Sequence, residues 1–175
     1  MGYRLFRVLT LFCLACCFFL IASASESSHP LARYATNLVV LKGDKLVPFK
    51  TTRFLKAPFT VLYFSAGWCP DCRKFSPALV EAYDHQPKKA QRFEVVLLSR
   101  DKTEAAMIKY MATDKMRWPA LAFGKLETAE DLNSFYSGHG IPCLSVLDAR
   151  GNLVLQSKSD QDAREILAEL QRLVQ

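Results

Sequence analysis

The stretch from Phe64 to Pro77, Phe-Ser-Ala-Gly-Trp-Cys-Pro-Asp-Cys-Arg-Lys-Phe-Ser-Pro, constrains the chain more than any other. An apolar run, Phe59 to Phe64, enters it, and a helix-like pattern leaves it. The junction carries Cys69 and Cys72 with two residues between them. At a helix N-terminus that spacing puts the first thiol at the cap and the second one turn later, within reach of a disulfide. Pro70 suits the first helical position, where a missing N–H costs nothing and φ is already set. Unpaired backbone N–H groups and the helix dipole there favour a thiolate on Cys69. A thiolate with a second thiol beside it is the equipment for disulfide exchange, Cys69 attacking and Cys72 resolving the mixed disulfide.

Three plainer readings compete. A Cys-x-x-Cys can be half of a zinc site, but Cys143, His85 and His139 do not supply a second ligand pair at metal-site spacing. A purely structural disulfide closing so short a loop stabilises little. Two inert buried cysteines fit poorly with the charged residues beside them. Redox chemistry is favoured, with neither metal nor organic cofactor.

Trp-Cys-Pro-x-Cys after a hydrophobic strand resembles the thioredoxin superfamily. The longer run Tyr63-Phe64-Ser65-Ala66, Trp68-Cys69-Pro70, Cys72-Arg73, Phe75 and Pro77 is similar to its tryparedoxin and nucleoredoxin branch. The resemblance extends more loosely from about Leu38 to Val174. It implies an α/β fold, a thioredoxin-like three-layer α/β/α sandwich with a central mixed sheet and an N-terminal hairpin. A second signature is Gly140-Ile141-Pro142 before an apolar strand. The resemblance makes Pro142 a cis-proline facing the cysteine pair, with Trp68, Pro70, Asp71, Ile141 and Pro142 bordering the substrate groove. Lacking an N–H, Pro142 would leave the backbone of Ile141 free to pair with an extended substrate segment.

Asp71 departs from the tryparedoxin branch, whereas Tyr63 matches that branch and departs only from thioredoxin itself. Asp71 stands where the tryparedoxin branch usually has proline, and Trp-Cys-Pro-Asp-Cys resembles a small cytosolic thioredoxin-related protein of narrowed substrate range. A carboxylate there works against a thiolate at Cys69, or is simply a favourable first-turn acid. Tyr63 stands where thioredoxin has a buried aspartate serving proton transfer to the second cysteine. Any base for Cys72 therefore comes from elsewhere, with water and Asp71 as the candidates.

Residues 1–24 have the physics of a secretory signal peptide. Arg4 and Arg7 precede an apolar run from Val8 to Ile21, and Ala22-Ser23-Ala24 offers small residues for cleavage. The run is short for a membrane span, though an uncleaved anchor is the alternative. Cleavage near Ala24 predicts a periplasmic, extracellular or secretory-lumen protein. It also removes Cys13, Cys16 and Cys17, leaving Cys69, Cys72 and Cys143, which is no scaffold of structural disulfides. Formal net charge falls from +6 to +4 with Arg4 and Arg7 gone, and the remaining basic residues are dispersed, so nucleic acid is not an expected partner.

Residues 25–36 are polar and read as a flexible leader, with the thioredoxin-like domain over 37–175. Leu38–Leu41 and Leu46–Phe49 predict a hairpin turning at Gly43-Asp44. Helices are expected from Pro70 to Tyr83, with Leu79, Val80 and Tyr83 inward and Pro77 inside. Others are expected after Thr103, with Met107, Ile108 and Met111 inward, and from Thr128, with Leu132, Phe135 and Tyr136 on one face. The path of Trp118-Pro119 is left open by its displaced proline. Asp148 to Asn152 predicts a hairpin turn. A helix capped by Asp162 closes the chain, with Ile166, Leu167, Leu170, Leu173 and Val174 as its stripe. Cys143 is either a small buried hydrophobe or a third redox thiol.

The function expected is that of an exported, monomeric thiol–disulfide oxidoreductase acting on protein disulfides and dithiols. Reduction is the favoured direction, with a membrane electron donor to recharge it. The alternative is a thioredoxin-fold binding module whose Cys69–Cys72 disulfide is structural.

Overall fold

Strand β3 (Phe59–Ser65) shows why the sheet has layers on both sides. Its side chains alternate, Val61 and Tyr63 to one face, Leu62 and Phe64 to the other, and all four are fully buried. A strand buried along both faces belongs in a sheet covered twice. The same holds for β4 (Phe93–Ser99) and β6 (Cys143–Asp148). The computed structural model describes residues 29–49, 56–87, 90–158 and 163–175. The expected signal peptide, the cleavage point near Ala24 and the Asp162 cap lie outside these residues.

Seven strands form one sheet in the order β2-β1-β5-β4-β3-β6-β7. The additional strands are β1 (Leu38–Lys42), β2 (Lys45–Pro48), β5 (Ala120–Leu121) and β7 (Leu153–Gln156). β3 and β4 pair in parallel and β3 and β6 antiparallel, so the sheet is mixed. The helices are α1 (Pro70–Asp84), α2 (Glu104–Thr113), α3 (Glu130–Asn133) and α4 (Ala163–Leu173). One apolar layer joins Phe75 and Leu79 of α1, Met107, Tyr110 and Met111 of α2, and Ile166, Leu167 and Leu170 of α4. The other holds Leu31, Leu126, Leu132 and Cys143. This is the expected thioredoxin-like sandwich, with the N-terminal hairpin β1–β2 turning at Gly43, φ +63°.

Several local expectations change. Pro30–Asn37 is a 3-10 helix rather than flexible leader, and Leu31 is fully buried. Its burial, the Tyr34 hydroxyl on Asp131 and an Arg33–Asp131 ion pair at 3.1 Å tie this segment to α3. The folded domain therefore includes the described residues from His29 on, rather than beginning at residue 37. The inward face of α2 is Met107, Tyr110 and Met111, with Ile108 only half-buried. Val80 and Tyr83 of α1 are likewise half-buried, and Ala82 is buried instead. The helix expected from Thr128 is a 3-10 turn, Leu126–Thr128, followed by the short α3. Leu173, the last residue of α4, is exposed. Trp118 is fully buried, its ring edge-on to Tyr63 and Tyr83, and the Pro119 carbonyl accepts from Leu97 N–H at 2.9 Å. The displaced proline thus leads directly into β5.

Among the described residues, no helix is long and apolar enough to cross a membrane.

Candidate active site

Cys69 is the N-cap of α1, in extended conformation at φ −83°, ψ 118°, with Pro70 at the first helical position. The Cys72 N–H donates to Cys69 Sγ at 3.2 Å. This is an orphan N–H of the first turn, which a cap side chain ordinarily satisfies. Here the cap is sulfur, so the donor and the helix dipole are placed to stabilise negative charge developing on Sγ. On its other side Sγ lies 3.3 Å from the Ile141 carbonyl oxygen, to which the thiol donates. The Ile141–Pro142 peptide is cis. The cysteines are unbonded, and Cys69 is 5% exposed while Cys72 is fully buried.

The remaining expected residues gather around that sulfur in two clefts. Trp68, 57% exposed, lines one cleft with Gly67, Arg73, Asp101, Tyr110 and Asp114, and its indole N–H donates to the Arg100 carbonyl at 3.0 Å. Asp71, Ile141 and Pro142 line the other with Lys74 and Phe75. Pro70 is exposed beside the cap. The Asp71 carboxylate meets the Lys74 ammonium at 3.2 Å on the surface, both side chains being exposed. His85 and His139 are on the surface. Among the described residues no cluster of three or more His, Cys, Asp or Glu is arranged to hold a metal.

Beneath the cysteines lies a group of hydroxyls that the sequence did not announce. Tyr63 OH is 3.0 Å from Ser76 Oγ and 3.2 Å from Tyr110 OH. Tyr110 OH is in turn 2.6 Å from both Ser65 Oγ and Ser76 Oγ. Ser76 Oγ donates to the Cys72 carbonyl at 2.9 Å, and the Ser65 hydroxyl interacts with the Cys72 thiol. Burial pushes the Cys72 thiol up to about 12, with its bond to Cys69 adding to the rise and Ser65 opposing it. Burial likewise pushes the Tyr110 phenol up to about 12. Tyr63 is raised further for the same reason, so it serves as a neutral hydroxyl and not as the charged group of its thioredoxin counterpart. The only available signal was hydroxyls at Tyr63, Ser65, Ser76 and Tyr110 on inward positions, which helical periodicity reads as core.

Asp101 holds the loop before the cap. Its carboxylate accepts from Gly67 N–H at 3.0 Å and Ser99 Oγ at 2.9 Å, while burial raises its pKa. Gly67 is required by packing, since a Cβ there would sit 2.8 Å from Tyr110 Cβ. Cys143 belongs to the opposite face of the sheet, 3.5 Å from Ser137 Oγ. Strand alternation explains this. Cys143 pairs across from Phe64, one residue out of phase with Tyr63. As a buried thiol in the second layer it fits the small-hydrophobe reading.

A family model described as Thioredoxin-like matches residues 59–153. Tryparedoxin of Trypanosoma brucei brucei is 35% identical over 132 residues, covering 74% of this chain and 86% of that protein. Nucleoredoxin of Xenopus laevis is 34% identical over 112 residues, covering 64% of this chain and 27% of that protein. The chain thus spans about a quarter of the length of the nucleoredoxins it matches. A solved tryparedoxin II complexed with glutathionylspermidine superposes with TM-score 0.60 at 31% identity, covering 80% of this chain and 92% of that one. A family match over more than half of the residues, joined to a tryparedoxin aligned along most of its own length, makes this chain a member of the thioredoxin-like family.

Proposed function

We propose that the protein is a thiol–disulfide oxidoreductase in which Cys69 attacks and Cys72 resolves. The observation that carries this reading is the cap sulfur itself, held between the Cys72 N–H at 3.2 Å and the Ile141 carbonyl at 3.3 Å. Cys69 thiolate attacks one sulfur of a substrate disulfide, forming a mixed disulfide and releasing the other sulfur as thiolate. Cys72, having lost its proton, attacks Cys69 Sγ, and the second substrate thiolate leaves as the Cys69–Cys72 bond forms. Trp68 and Pro70 on one side, with Asp71, Ile141 and Pro142 on the other, border the bound substrate. An extended substrate strand takes the backbone position beside Ile141, replacing its contact with the thiol.

Reduction of protein disulfides is the direction proposed, as in the frame of the branch the chain resembles. The tryparedoxin complexed with glutathionylspermidine makes a glutathione-type thiol a candidate donor, beside a membrane donor if the protein is exported. Export rests on the sequence of residues 1–24.

Equilibrating the protein against defined thiol buffers measures the potential of the pair. A value of about −270 to −230 mV is expected for a reductase. A value near −120 mV, roughly that of a strong oxidant, reverses the direction, and a pair still oxidised below about −300 mV turns the function to binding.

A further inference from the structure

Exchange through Cys72 has a proton to dispose of. The thiol is fully buried, and burial and the neighbouring Cys69 disfavour its ionisation. Tyr63 is no base, and Asp71 is turned to Lys74 at 3.2 Å. Asp101 is near, but both its oxygens are engaged, one by Gly67 N–H and the other by Ser99 Oγ. One carboxylate remains on the cleft that reaches the hydroxyl group. Asp114 caps the C-terminus of α2, one turn beyond Tyr110, whose carbonyl accepts the Asp114 N–H at 3.1 Å. Its Oδ2 is buried and has no hydrogen-bond partner within normal distance, while its carboxyl interacts with the Ser76 hydroxyl. Asp114 and Tyr110 both line the Trp68 cleft, about 620 Å³ in volume, so the carboxyl stands between the buried hydroxyls and solvent.

We propose that Asp114 accepts the Cys72 proton, relayed through Ser65, Tyr110 and Ser76, as Cys72 attacks the mixed disulfide on Cys69. This rests on the exchange reading above. Two hydrogen bonds form the middle of the path, Ser65 to Tyr110 at 2.6 Å and Tyr110 to Ser76 at 2.6 Å, and at its ends the Ser65 hydroxyl interacts with the Cys72 thiol and Ser76 with the Asp114 carboxyl. Each hydroxyl both donates and accepts, and its hydrogen rotates to suit, so Ser76 turns between the Cys72 carbonyl and Asp114. In the step the Cys72 S–H bond breaks, each hydroxyl passes on one proton, and Asp114 becomes the neutral acid. Cys72 sulfur bonds Cys69 sulfur, the bond from Cys69 to substrate breaks, and the electron pair leaves on the substrate thiolate. Asp114 then releases its proton to the cleft. Burial raises the Asp114 pKa, while Ser76 and the Arg73 charge oppose the rise. A carboxyl held above its ordinary value is the better matched acceptor for a thiol proton near neutrality. Arg73 of α1, Lys109 of α2, and Asp101 and Lys102 of the preceding loop are the charges that share this cleft. Asp114 acts through the hydroxyls and touches no substrate, so it is a positioning and relay residue.

The test follows release of thionitrobenzoate when the reduced protein meets one equivalent of 5,5′-dithiobis(2-nitrobenzoate) in stopped flow. The first equivalent reports attack by Cys69, the second resolution by Cys72. Asp114→Asn is expected to slow the second phase about tenfold or more at pH 7 and to abolish its rise with pH through the carboxyl range, with the first phase unchanged. Asp114→Glu should restore both, and Tyr110→Phe, which keeps the ring but removes the central hydroxyl, should reproduce the loss. An Asp114→Asn second phase matching wild type in rate and pH profile overturns the relay, as does a loss confined to Tyr110→Phe. Wild type that releases no first equivalent would instead sink the exchange reading, and the relay with it.

Discussion

Cys72 is the residue whose environment differs most from what its spacing alone describes. Two intervening residues after the first cysteine put it on the inner face of α1, but only the fold shows that the space below is filled by Tyr63, Ser65, Ser76 and Tyr110. Its folded-state value, pushed from 9.0 to about 12, lies above the unfolded one. The folded protein then holds the thiol proton more tightly than the unfolded chain, so stability falls as pH rises above about 9. Under reducing conditions, urea midpoints should drop between pH 8 and pH 10.5, and more steeply in wild type than in Cys72→Ala. Equal slopes would show that the thiol does not carry the effect. Cys69, Cys72, Trp68, Ile141 and Pro142 were legible in the sequence because their motifs are contiguous. Tyr110 was not, since it joins Ser65 across 45 residues and only through the packing of α2 on β3. Asp114 escaped for the same reason, being a helix cap with no local pattern that marks chemistry.

At the scale of elements, periodicity located the strands other than β5 and most helices, and failed where tertiary contact outweighs local pattern. The segment before β1 is polar enough to read as loose, yet the fully buried Leu31 fits a slot in the second layer and His29 caps the turn, its Nδ1 accepting from Leu31 N–H at 3.3 Å. The far side of that slot is the β6–β7 turn. Gly151 has φ +83°, and a Cβ there would clash with Pro30 Cδ. Gly43 in the β1–β2 turn has φ +63° with open space around it. Gly43→Ala should therefore cost only the backbone term, about 1 kcal/mol. Gly151→Ala carries that term and must also displace Pro30, for roughly 2–4 kcal/mol in all. Chemical denaturation of the two variants separates them. Equal losses would mean that the N-terminal segment does not bear on this turn.

At the scale of the whole molecule, the proposed export and the architecture constrain each other. A cleavage after Ala24 leaves His29 and Leu31 on the mature chain, with four residues, Ser25 to Ser28, preceding His29. Processing beyond residue 31 would remove a fully buried leucine from the second layer, a loss of about 2–5 kcal/mol by comparison with truncating such a side chain. That is a large part of the stability of an ordinary domain. The small residues at 22–24 thus lie close to the latest position at which a leader can be removed without cutting into the core. Intact mass measured on protein recovered from its producing cell should correspond to Ser25–Gln175, in the fraction outside the cytoplasm. A chain retaining residues 1–24 in a membrane fraction would replace the cleaved signal with an anchor while leaving the cysteine chemistry in place. A chain retaining them in the soluble cytoplasm would remove export, and with it the need for a membrane donor. The reducing glutathione pool would then supply Cys69 and Cys72 directly.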